Sequence, residues 1–211
     1  MVGAVPELKQ LHPDHAPAVL AFERENRAYF AASISDRGDA FFDQFTDRYR
    51  ALLAEQEAGT CAFYVLVAGE GPVLGRFNLY DIADGTAVLG YRVARHAAGR
   101  GLATAAVREL CRLAATRHGL HTLRAATALG NAASQRVLAK AGFAPVGPAD
   151  PADVGGEPGI WHQRDLVPPR EAAIPPAAAT PPPAAGEDRP RGTTPGPARR
   201  RGNPLTREDP A

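Results

Sequence analysis

Cysteine, one-sided charge and long apolar runs are all scarce in this chain of 211 residues, and each scarcity removes a class of protein. Its two cysteines, Cys61 and Cys111, stand far apart and outside any CxxC spacing, which argues against both a disulfide framework and a zinc site. They read as small buried apolar side chains in a reducing compartment. A formal net charge of +1 supplies no broad field for nucleic acid or a membrane surface. No stretch approaches the ~18 apolar residues that cross a bilayer, and residues 1–17 lack a basic segment followed by an apolar run. The expected location is therefore the cytoplasm. What remains, 45% hydrophobic and 22% charged, suits one globular domain with an ordinary core.

Composition changes sharply near Pro168. From there to Ala211 the chain holds twelve of its 20 prolines and no aromatic residue, so it cannot bury enough apolar surface to offset the entropy of ordering its backbone. We expect a domain over 1–167 and a disordered Pro/Ala/Arg-rich tail over 168–211. Arg199, Arg200 and Arg201 in that tail are either a contact for an acidic partner or a short solvated charge run. The tail carries seven arginines and five acids, which leaves the body near neutral.

Within the body, residues 7–11 suit a short strand and Pro13 and Asp14 a helix start. FERENRAYFAAS suits a second short helical element, and SDRGD is turn chemistry. Phe42, Phe45, Tyr49, Leu52 and Leu53 recur at helical spacing, predicting one amphipathic helix over 41–57 that ends before Gly59. The period then changes. CAFYVLVA, VLGRFNLYDI and TAVLGYRV are rich in β-branched and aromatic residues and separated by GEGP and ADG, which predicts three consecutive antiparallel strands. A helix over 102–118 and a strand over 120–127 follow. Asn131 opens a further helix closed by Gly142, and FAPVG and GIWHQRDL supply two last strands. The expected fold class is α+β, with a strand–helix–strand unit at its centre.

The turn at AAGRGLATAA, residues 97–106, lies between a strand and a long helix. Free backbone N–H groups and the helix dipole at such a junction favour phosphate, and glycines at 99 and 101 let a ligand approach closely. A turn that merely starts a helix is the alternative. No lysine follows to complete a Walker loop. A dinucleotide fingerprint needs glycine where Thr104 stands and an acid about twenty residues on, which LHTLRAAT lacks.

LGYRVARHAAGRGLATAAVRELCRLA followed by NAASQRVLAKAGF resembles the GCN5-related N-acetyltransferases, and within them the branch that acetylates N-terminal amines of ribosomal proteins. The resemblance spans about residues 5–167, with its specific core at 89–143. It implies a central mixed, largely antiparallel sheet, splayed in the middle and flanked by helices, with acetyl-coenzyme A as co-substrate lying in the split. It implies backbone groups of Tyr91, Arg92 and Val93 for the pantetheine arm and the thioester carbonyl, where a preorganised N–H stabilises developing charge. Amides of Gly99, Arg100, Gly101, Leu102, Ala103 and Thr104 take the pyrophosphate. Asn131 serves the pantetheine arm or nearby backbone, or is a plain helix cap.

Most family members place a tyrosine seven residues after that asparagine, whereas Leu138 stands here. Positions 131, 134 and 138 share one helix face, so Ser134 can donate the proton that the departing thiolate needs, its thiol pKa being roughly 8.5 by analogy with cysteine. The ribosomal-protein branch looks like it uses a serine at this point; a serine satisfied by local backbone is the alternative. Related enzymes often carry a glutamate two residues before the GY pair, and Val88 occupies that place. Asp81, Asp84, Glu25, His96 and a water chain remain as bases. Tyr29, Phe30, Phe41 and Phe42 belong to the segment that forms one wall of the acceptor site in the family, or else pack the core. Trp161 has the same two readings, and His118 and His162 show no ligand spacing. The function expected is transfer of acetyl to a primary amine, possible acceptors including a protein N-terminus, by direct attack. No cysteine sits in a base-paired motif that would support a covalent intermediate. A non-catalytic acyl-coenzyme A binding or sensing protein is the alternative, favoured by Val88 and Leu138.

Overall fold

The computed structural model describes residues 5–32 and 36–166; the tail expected over 168–211, and Ser35 of the SDRGD turn, lie outside them. Among the described residues seven strands form one sheet: β1 (Glu7–Gln10), β2 (Ala62–Val67), β3 (Val73–Ala83), β4 (Thr86–Val93), β5 (Thr122–Ala128), β6 (Ala144–Ala149) and β7 (Gly159–Asp165). The spatial order is β1-β2-β3-β4-β5-β7-β6. Every neighbouring pair is antiparallel except β4–β5, the pair joined by a crossover helix long enough to return the chain in the same direction. The β3–β4 hairpin turns at Asp84 and Gly85, both at positive φ (49° and 70°), as the ADG signal predicts. Edge strand β6 carries Pro145 and Pro148, which blunt it against pairing with another chain.

Helices cover both faces. On one lie α4 (Leu102–Arg117) and α5 (Ala132–Lys140); Val107, Leu110, Ala114 and Leu138 bury themselves there against Phe77, Leu89 and Leu123. On the other lie α1 (Ala16–Ala31), α2 (Gly38–Asp43) and α3 (Phe45–Glu57), packing Val19, Phe22, Phe41 and Tyr49 against Phe63 and Val65. Alternation along β2, with Tyr64 and Leu66 on one face and Phe63 and Val65 on the other, feeds both cores from one fully buried strand.

Two helix expectations change. FERENRAYFAAS is no separate element: Val19, Phe22, Glu23, Asn26 and Phe30 make one buried stripe along an uninterrupted α1. The single helix expected over 41–57 is two, broken at Gln44 (φ −96°, ψ 11°), and α2 begins at Gly38, inside the expected turn. The ring contacts Phe41–Phe45 (6.2 Å) and Phe45–Tyr49 (5.5 Å) run straight through the break, so apolar spacing does not reveal it. Leu138, standing where the family tyrosine belongs, is 0% exposed. Leu138→Ala is expected to cost about 2–5 kcal/mol through lost packing and the cavity left behind, read as a lower urea midpoint at unchanged slope.

Candidate active site

The sheet opens at its centre. Strand β4 pairs with β5 only from Thr86 to Val88, against Thr122 to Arg124. Its other edge stays paired with β3 as far as Val93, while β5 stays paired with β7 as far as Ala128. Residues 89–93 thus border a wedge between diverging strands, and their backbone groups on that edge have no strand partner. The expected splay, and the position of Tyr91, Arg92 and Val93 along it, are both present.

At the mouth of the wedge stands the glycine turn. Gly99 and Gly101 adopt φ of 75° and 77°, a region that other residues enter at a cost. No atom lies within 4 Å of where a Cβ would stand at either. Gly101 caps α4, whose first hydrogen bond runs from Ala105 N to Gly101 O (3.1 Å). The amides of Leu102, Ala103 and Thr104 therefore precede the helical ladder and point off its positive end. Arg100 is exposed beside them.

Helix α5 supplies the wall. Asn131 Oδ1 accepts from Ser134 N (3.0 Å), so its side chain is a helix cap, and it fixes the turn on which Ser134 rides. The Ser134 hydroxyl lies 2.8 Å from the Tyr91 hydroxyl, either of which can donate to the other, and Ser134 O, 3.3 Å from the phenol, is a second acceptor for its one proton. Tyr91 stacks on Phe77, ring centroids 5.7 Å apart and planes 8° from parallel. Burial pushes the Tyr91 phenol up to about 12 against the opposing effect of Ser134, so it stays protonated at neutral pH. The sequence points to Tyr91 for its backbone; the hydroxyl pairing depends on packing between β4 and α5.

The opposite face of β4 carries a group that motif spacing does not indicate. Glu23 of α1 is 2% exposed and Arg76 of β3 3%. Glu23 Oε1 meets Arg76 at 3.0 Å and Arg92 at 2.9 Å. Burial alone would raise the Glu23 carboxyl, but Arg92, then Arg76 and Arg37, outweigh it and hold it below the ordinary glutamate value. The Arg92 side chain, 14% exposed, also lies 5.3 Å from the centre of the Phe30 ring. Burial pulls its guanidinium down to about 9 despite Glu23. Glu23, Phe30, Arg37, Phe42 and Arg92 line a small cavity there, with the more exposed Arg27–Asp36 pair beside them. Glu23 was legible in one respect: it falls on the buried stripe of α1, where a lone carboxylate needs a partner.

The remaining candidates scatter. Asp81 lies in the bulge of β3 and Asp84 at the hairpin tip, while Glu25 and His96 are exposed. Of the aromatic residues, Phe30 and Phe42 line the cavity, Phe41 is buried in the core and Tyr29 points outward. Trp161 packs against Ala126, Ala149 and Val154 under the Arg124 guanidinium, 4.5 Å from its ring. His118 Nε2 meets the Tyr64 hydroxyl at 2.7 Å, and His162 is buried with burial lowering its pKa.

A wedge in a mixed sheet, a helix start at its mouth and a hydroxyl pair on its wall make up the candidate site of this α+β protein, and the comparisons that follow make it an acyltransferase. Residues 7–144 match the acetyltransferase (GNAT) domain family, and the chain belongs to that family. A probable N-acetyltransferase of Bacillus subtilis (strain 168), YjcK, is 28% identical over 145 residues, which is 64% of this chain and 78% of that protein. The ribosomal-protein-S5-alanine acetyltransferase of Vibrio fischeri superposes with a TM-score of 0.71 at 22% identity, covering 76% of this chain and 93% of its own. Mycobacterium smegmatis RimJ, in complex with a CoA disulfide, superposes at 0.69 with 20% identity, covering 77% and 82%. At these identities the two structures establish a shared fold.

Glu23→Gln removes the one carboxylate that two buried guanidiniums share, and a loss of about 3–5 kcal/mol is expected. Because the folded carboxyl titrates below its unfolded value, this stabilisation is present above about pH 4 and fades as pH falls through the folded pKa. Wild type and variant should therefore converge in acid, which thermal melts across pH 3–7 will show.

Proposed function

We propose that the protein transfers the acetyl group of acetyl-coenzyme A to a primary amine, a protein N-terminal α-amine such as that of a ribosomal protein, by direct attack. The observation that carries this is the wedge between β4 and β5, with the helix start at its mouth and the Tyr91–Ser134 pair on its wall. The names of the similar proteins support both the reaction and this kind of acceptor. The residues fit the donor: amides 102–104 precede the helical ladder, and the space before Gly99 and Gly101 is open. Acetyl-coenzyme A supplies the activated carbonyl.

In this reading the amides of residues 99–104 bind the diphosphate, and the free edge of Tyr91, Arg92 and Val93 aligns the pantetheine arm and places an N–H at the carbonyl oxygen, where negative charge develops. Ser134 holds a proton at Oγ for the departing sulfur. When the Tyr91 hydroxyl, protonated at neutral pH, gives its one proton to Ser134 Oγ rather than to Ser134 O, the serine proton turns outward toward the wedge. The amine's own proton leaves through water, and water returns a proton to Ser134 Oγ once the thiol has formed. Neither thiol takes part as a nucleophile. Cys111 is buried in the core, which raises its pKa, and Cys61 is buried with its Sγ 3.4 Å from Glu55 Oε2. Residues 1–167 form the acetyltransferase domain, and release that survives deletion of 168–211 would show that segment to be dispensable for the chemistry.

A second reading, a non-catalytic acyl-coenzyme A binder, draws on Leu138 sealed in the core where a tyrosine is usual and on Val88. Thiol release measured over a panel of amines and N-terminal peptides separates the two: coenzyme binding without release across the panel favours the binder. Ser134→Ala is expected to slow release at least about tenfold while leaving coenzyme binding nearly unchanged, and an unchanged rate removes Ser134 from the mechanism. Gly101→Val adds side-chain bulk at the mouth and strains a left-handed position, so coenzyme affinity measured by calorimetry should fall at least about tenfold. Undiminished affinity would refute the diphosphate site.

A further inference from the structure

Consecutive residues of a strand face opposite sides of the sheet, and β4 uses this at the wedge. Tyr91 turns to Ser134 on the α5 side; Arg92 turns to the cavity on the α1–α2 side. An amine that reaches the carbonyl from the α1–α2 side therefore carries its neighbouring atoms past Arg92. Four guanidiniums, those of Arg27, Arg37, Arg76 and Arg92, meet three carboxylates there, those of Glu23, Asp36 and Asp39. Arg92 shares a single carboxylate oxygen, Glu23 Oε1, with Arg76. The nearby acids Asp36 and Asp39 are both held by Arg27 at 2.6 Å. A largely buried guanidinium with half a counter-ion attracts an anion and repels a cation more strongly than a solvated one.

Building on the transferase reading, we infer that this cavity selects acceptors bearing a carboxylate a few bonds from the reacting amine, with Arg92 as its counter-charge. Phe30 and Phe42 flank that position. The specificity is set as much by rejection as by attraction: an acceptor that brings a second cation, as a polyamine or a lysine beside the N-terminus does, meets Arg92 at close range.

The test uses the full chain, saturating acetyl-coenzyme A and thiol release. Acceptors are peptides that begin Ala-Asp, Ala-Ser and Ala-Lys and are otherwise identical, free alanine, alaninamide and spermidine. The expected result is a kcat/KM for Ala-Asp at least about tenfold above Ala-Ser, with Ala-Lys and spermidine lower still, and a preference that shrinks as salt rises. Free alanine exceeding alaninamide by a like factor would place the carboxylate on the acceptor's own α-carbon; Ala-Asp exceeding Ala-Ser places it on the second side chain. Either supports the inference. Arg92→Met should collapse the preference to within about twofold and Arg92→Lys retain it. Should Arg92→Met not fold, as judged by circular dichroism, the wild-type panel and its salt dependence still decide. Equal rates for anionic and neutral acceptors in both pairs, a lead for spermidine or Ala-Lys, or a preference surviving in folded Arg92→Met would overturn it. Release that responds to neutral amines alone sinks this inference and leaves the transferase standing; no release with any amine sinks both.

Discussion

The loss of pairing between β4 and β5 beyond Val88 and Arg124 governs the rest of the molecule. A sheet interior normally satisfies every backbone donor and acceptor on both edges of a strand. Here the chain leaves one edge of residues 89–93 open in the middle of a seven-stranded sheet. The opening survives because each diverging strand is held from its outer side, β4 by β3 and β5 by β7, over the whole length of the wedge. The two halves are in effect separate antiparallel sheets hinged at three residue pairs, and helices on both faces hold the angle.

From that opening follows a division of labour between faces. Toward α4 and α5 the wall offers neutral hydroxyls, a helix cap and a row of amides, a surface suited to a diphosphate and a thioester arm. Toward α1 and α2 it offers a buried carboxylate bridging two guanidiniums. Removing three charges from water is costly, and a site that turns charge toward an incoming ligand is one place where such a cost has a use. Strand alternation at Tyr91 and Arg92 assigns the two faces their different chemistry within two residues.

Much of this was legible in the chain. Strand count in the centre, the β4–α4–β5 unit, Asn131 as a helix start, Gly142 as its stop (φ 85°) and the glycine turn before α4 all rest on local rules, in which the residue itself carries the signal. The break at Gln44 was not legible, since the buried rings keep their spacing through it. Glu25, two residues from Glu23, is exposed, and the buried stripe that carries Glu23 appears only when α1 runs unbroken from Ala16 to Ala31. The hydroxyl contact of Tyr91 with Ser134 joins residues 43 apart in the chain, and no spacing rule reaches that far.

Periodicity, turn chemistry and the glycine-bearing helix start settle which segments become strands and helices and where the glycine turn falls, because those choices depend on backbone conformation within a few residues. Where the sheet opens, which side chain lies against which, and that Arg92 faces Glu23 of α1 rather than α5 were decided only in three dimensions. Such contacts depend on strand register and on the angle at which helices cross the sheet, quantities set by the packing of the whole core at once.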